Sequence, residues 1–166
     1  MVVCAFYLVF LLQAAHGSGP FLMIDLVFVP IHEGGHLLFR WFGEFLAIAG
    51  GTILQLAVPF MLSLYFAFQR QILGTAFCSF FFFEQFLPIS TYMADARAQE
   101  LPLLTVGDSD DVIHDWNYLF DKLHVLDHDI QIAHAFRVMG WIGMVAVVGW
   151  MMLRGLRREA SPALQS

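Results

Sequence analysis

Ile31-His32-Glu33-Gly34-Gly35-His36-Leu37-Leu38-Phe39 sits inside an otherwise apolar run. Residues four apart stack on one face of a helix, so both imidazoles can reach a single metal ion, and Glu33 is placed to serve a water there as general base. Polar side chains are costly within a hydrocarbon-spanning helix and usually functional. The stretch therefore predicts a helical, membrane-embedded metal site, with a metal-dependent hydrolase as the chemistry it suits. The plainer reading is a pair of histidines that only hydrogen-bond between helices.

Composition agrees with the membrane setting. Hydrophobic residues make up 59% of the chain, charged residues only 13%, and the mean hydropathy is +0.70. A soluble domain carries roughly a quarter charged residues. Residues 1–94 contain just Asp25, Glu33, Arg40, Glu44, Arg70 and Glu84 as charges, a density typical of chain within a bilayer. The net charge of -6 comes mostly from the segment Asp95 to Asp129, where Asp95, Glu100, Asp108, Asp110, Asp111, Asp115, Asp121, Asp127 and Asp129 face only Arg97 and Lys122. Nucleic-acid binding needs the opposite sign and is not expected. Cys4 and Cys78 lie in apolar runs and read as small hydrophobes, not as a disulfide or redox pair.

These features predict one all-α, polytopic transmembrane bundle with about five spans, at 1–15, 21–42, 45–68, 72–93 and 132–153, an acidic extramembrane segment over 94–129 and a tail over 154–166. The first span ends at the breaker run His16-Gly17-Ser18-Gly19-Pro20; a signal peptide cleaved after Gln13-Ala14-Ala15 competes with it, but no basic residue precedes the apolar part. Asp25 lies two turns before His32 and reads as an interfacial or cavity-facing carboxylate. Glu84, deep in the fourth span, should face a partner or a wet cavity, and Pro88 should break that helix. Ile113, Trp116, Phe120 and Leu123 fall at helical spacing and predict an amphipathic piece seated at the interface. Arg154, Arg157 and Arg158 make the tail cytoplasmic by the positive-inside rule, which puts the acidic segment outside and Arg70 inside in a bacterial-type cell membrane.

The chain resembles the site-2 protease family of intramembrane zinc metalloproteases over about residues 30 to 96. The His-Glu-x-Gly-His signature is matched by His32, Glu33, Gly35 and His36. Gly51 and Gln55 stand at the spacing of the family's Gly-x-x-x-Asn motif, and Gln85, Pro88 and Asp95 resemble its Asn-x-x-Pro element with the following Asp; both asparagines are glutamines here. The resemblance implies a Zn2+ site of His32, His36 and Asp95, Glu33 as catalytic base, and substrate contacts at Gly51, Gln55 and Gln85. Its substrate would be a transmembrane or juxtamembrane segment of another membrane protein.

Helical rise argues against one of these assignments. On a straight fourth helix Asp95 lies roughly 10–15 Å beyond His36 along the axis, and only a turn back at Pro88 closes that gap. His114 or Asp115, carried in by the amphipathic piece, is the second choice for third ligand; His124, His128 and His134 add further candidate ligands, with scattered surface histidines as the plainer reading. The rival from another class is a non-enzymatic membrane protein that binds a metal or haem, such as an inactive relative, sensor or carrier. Five spans without a visible internal repeat suit a transporter poorly.

Overall fold

The computed structural model describes residues 7, 9–12, 25–101 and 114–160, and every regular element among them is helical. In chain order these are α1 (Asp25–Phe39), a short 3-10 turn (Arg40–Phe42), α2 (Glu44–Phe68), α3 (Ile72–Glu84), α4 (Phe86–Ala94), α5 (Asp115–Lys122), a second 3-10 turn (Leu126–His128) and α6 (Asp129–Ala160). The breaker run after the first apolar segment, most of that segment, and Asp108, Asp110, Asp111 and Ile113 lie outside the described residues.

Three described helices are long and apolar enough to cross a membrane: Glu44–Phe68, Ile72–Ala94 (α3 with α4) and Leu126–Leu156. The predicted third and fourth spans match these bounds within a residue, whereas the last helix begins earlier than residue 132. Five spans are not found among the described residues. The predicted second span contains α1, whose 15 described residues end where the chain tightens at Arg40 and breaks at Gly43, whose φ of +97° lies in the region that favours glycine.

The helices α1, α2 and α3 alternate in direction. The turn Arg40 to Gly43 returns α1 onto α2, and a turn at Gln69–Arg70 returns α2 onto α3, with Ser63 Oγ 2.6 Å from Ser79 Oγ and Phe60 packed on Phe82. Pro88 explains the break between α3 and α4. It lacks the N–H that would bond the Glu84 carbonyl one turn earlier, and the helix loosens at Gln85. The chain does not turn back there, so α3 and α4 form a single span.

Packing of this span against α6 supplies the core. Phe80, Phe81, Ala76 and Met144 are buried together with Tyr7, and Gly140 and Gly143 of α6 let Phe83 and Phe86 approach the helix backbone. Phe86 stacks on Phe136 at 4.6 Å. A second cluster, Ile89, Met93, Ala96, Phe120 and Ala133, fastens α5 to the ends of α4 and α6. Asn117 Nδ2 adds a hydrogen bond to the Ala96 carbonyl (2.8 Å), and Arg97 pairs with buried Asp129 (2.7 Å).

Candidate metal centre

The site forms where α1 crosses α2. A Cβ at Gly35 would collide with the Gly50 carbonyl, and one at Gly50 would stand 2.6 Å from the Gly35 carbonyl oxygen, so only this glycine pair allows the two backbones to meet. The close crossing brings Gly51 directly beneath both imidazoles. A Cβ there would lie 2.5 Å from His32 Nε2 and 2.6 Å from His36 Nε2.

His32 and His36 stand on successive turns of α1, their rings 4.7 Å apart and nearly perpendicular. Asp115, the first residue of α5, comes in from the opposite side: its Oδ2 is 3.0 Å from His32 Nε2 and 3.4 Å from His36 Nε2. One ligand atom from each of the three lies within 4.8 Å of the other two. Donors at about 2.0–2.1 Å from a tetrahedral metal stand ~3.3 Å from one another, close to the two nitrogen–oxygen separations here.

The hydrogen bonds behind the imidazoles decide what these atoms can do. His36 Nδ1 is 2.9 Å from the Ala47 carbonyl, which can only accept, so Nδ1 carries the proton. His32 Nδ1 donates in the same way to Gln55 Oε1 at 3.0 Å. Both Nε2 lone pairs then point toward the Asp115 carboxylate, an arrangement that is repulsive unless a cation lies among the three atoms. One divalent metal ion satisfies all three atoms at once, whereas a single proton serves one nitrogen and leaves the other lone pair facing the carboxylate. The donor set therefore fits a metal ion held by His32, His36 and Asp115. The two imidazoles project from one helix with rings 4.7 Å apart, so this pair does not flank a haem from opposite faces.

No known family, curated protein or solved structure matches this chain. The site is therefore read from its own residues.

Asp115 is held well for this role. Its backbone N–H donates to the Tyr92 hydroxyl (3.1 Å), and Tyr92 packs on His114 with ring centroids 4.3 Å apart. Glu33, partly exposed, lies close enough to act electrostatically on both His36 and Tyr92.

Asp95 is not among the three converging groups, which corrects its expected place as third ligand. Because α3 and α4 continue as one span, Asp95 stands at the C-terminal end of α4. It accepts there from the Glu100 N–H (2.9 Å), the Leu101 N–H (3.1 Å) and His114 Nε2 (3.3 Å). His114 in turn accepts from the Asn117 N–H at Nδ1 (3.2 Å) and so caps α5. Asp95 and His114 position the helix that delivers Asp115, and both nitrogens of His114 are engaged away from the three converging groups.

The amides expected to meet substrate are also engaged elsewhere. Gln55 links His32 to Gln85, with Gln55 Nε2 donating to Gln85 Oε1 at 2.7 Å. His124, His128 and His134 are exposed and take no part in the converging group. Tyr92 was not singled out by sequence, although it stands seven residues after Gln85 and hence on the same face of the span.

Gly51→Ala tests the site sterically. The added methyl meets both Nε2 atoms, so zinc content in purified protein is expected to fall to near zero. Gly149→Ala, at a position with nothing within 4 Å of the added atom, is expected to leave it unchanged. Full zinc in Gly51→Ala would rule out a metal position between these nitrogens.

Proposed function

We propose that the chain is a membrane-embedded zinc metalloendopeptidase resembling the site-2 proteases, with the ligand set His32, His36 and Asp115. The observation that carries this reading is the meeting of two bare imidazole nitrogens and one carboxylate oxygen, next to a glutamate at the position of a general base. A bound zinc ion supplies Lewis acidity, acidifying water and polarising a carbonyl near neutral pH.

The chain's own residues supply the rest. Glu33 takes the proton from the attacking water and returns it to the leaving amine. His32 and His36 are fixed in rotamer and tautomer by Gln55 and the Ala47 carbonyl. Gly51 keeps the space beneath the imidazoles clear.

Depth narrows the substrate class. Arg40 and Glu44 mark the polar end of α1 and α2, and His36 and Gly51 lie about one and two helical turns from it, ~6–10 Å along the axis. Trp41 and Phe42, 84% and 67% exposed at that end, suit the bilayer interface, with the Arg40 guanidinium 5.6 Å from the Trp41 ring centroid. The scissile bond accordingly lies in a juxtamembrane segment of another membrane protein, not at mid-span. Arg70 and Arg154 sit at the opposite ends of their helices, so the positive-inside rule places the site end, with its acidic segment, on the non-cytoplasmic face.

The test uses purified protein reconstituted with single-span reporters whose cleavable sequence is stepped from the non-cytoplasmic boundary to mid-span. One zinc per chain and cleavage confined to about two turns of that boundary are expected. Stoichiometric zinc without cleavage of any reporter would leave a metal-binding protein that is not a protease, and absence of zinc would remove the metal centre itself.

A further inference from the structure

Behind His32 a line of buried polar groups runs into the interior of the bundle. His32 Nδ1 donates to Gln55 Oε1 (3.0 Å), Gln55 Nε2 to Gln85 Oε1 (2.7 Å), and Gln85 Nε2 to Glu84 Oε2 (2.8 Å). The three residues behind the histidine are 9%, 0% and 2% exposed. The break in the span at Gln85 makes the line possible, because Glu84 and Gln85 sit side by side where the helix loosens before Pro88.

A primary amide can be turned end for end, so two glutamines alone give this line no direction. If reversed, Gln55 would donate to His32 Nδ1, the imidazole proton would move to Nε2, and the nitrogen facing Asp115 could no longer accept a metal. A carboxylate only accepts. With the Glu84 carboxylate beside it, Gln85 presents its NH2 to Glu84 and its carbonyl to Gln55, and Gln55 then presents its carbonyl to His32. We infer that Glu84 is a positioning residue which, through Gln85 and Gln55, selects the His32 tautomer whose Nε2 faces the metal site. This extends the familiar carboxylate–histidine pair behind a metal ligand by two amides. His36 stands outside the line, since its Nδ1 bonds the Ala47 carbonyl. The importance of the relay for metal binding rests on the proposed function, but the tautomer itself does not.

The experiment is 15N NMR of histidine-labelled, metal-free protein in detergent micelles and alkaline buffer, with His32 and His36 assigned by single substitutions. In the wild type both are expected to be protonated at Nδ1. Glu84→Gln, an isosteric change that can both donate and accept, is expected to give His32 a mixture of tautomers while His36 keeps its pattern. Gln55→Met, which removes the neighbouring amide, should do the same. Zinc affinity, measured separately by chelator competition, should weaken by about 10–100-fold in both. An unchanged His32 signal in Glu84→Gln overturns the inference, even if Gln55→Met shifts it, because the effect would then stop at Gln55. A joint change at His32 and His36 also overturns it, since that marks general loosening of the bundle. Wild-type protein that shows the expected tautomer yet binds no zinc would sink the protease reading and leave the relay intact.

Discussion

Glu33→Gln is expected to retain one zinc per chain and to lose cleavage of a juxtamembrane reporter by about 10²–10⁴-fold, the usual contribution of a general base. The large effect follows from how little the substitution changes sterically. Glutamine has the same shape, and Glu33 is not one of the three converging donors, so His32, His36 and Asp115 keep their geometry. What is lost is a carboxylate able to take a proton beside His36, within electrostatic range of Tyr92. Parallel measurement of zinc content and turnover separates the two functions. Turnover near the wild-type rate would remove Glu33 from the reaction, and loss of zinc would give it a part in holding the metal.

Asp115→Ala and Asp95→Ala are expected to differ sharply. Removing Asp115 deletes a donor and leaves the two Nε2 atoms without their carboxylate, so zinc binding should weaken by far more than the ~10–100-fold typical of supporting residues. Asp95→Ala should fall within that supporting range, because it acts only through the connection to α5. It should also lower stability, by ~1–3 kcal/mol for the buried His114 nitrogen left without its acceptor. Chelator competition and thermal unfolding of the two purified variants make the comparison. A greater loss of zinc in Asp95→Ala than in Asp115→Ala would reverse the ligand assignment.

Local pattern determined much of this protein. The apolar runs at 45–68 and 72–93 give the bounds of two helices because span length is fixed by bilayer thickness and helical rise, both local quantities. The spacing of His32 and His36 placed two donors on one face for the same reason, and the repeat of Ile113, Trp116, Phe120 and Leu123 anticipated α5. Even the difficulty with Asp95 was present in the sequence, since helical rise on a straight fourth helix sets it roughly 10–15 Å beyond His36 along the axis.

Tertiary structure decided which distant groups meet. Asp115 reaches His32 across 83 positions of sequence because Ile89, Met93, Phe120 and Ala133 seat α5 over the ends of α4 and α6, a packing choice that no helical period encodes. Only the crossing of α1 with α2, where Gly35 and Gly50 meet, makes Gly51 the floor of the site. Glu84 shows the same limit. Its sequence position called for a partner or a wet cavity, whereas the bundle encloses it beside Gln85 and connects it through Gln85 and Gln55 to the first histidine of the signature. Hydrophobic periodicity dictates the faces that helices bury, while the partners of buried polar groups are set by how those faces dock.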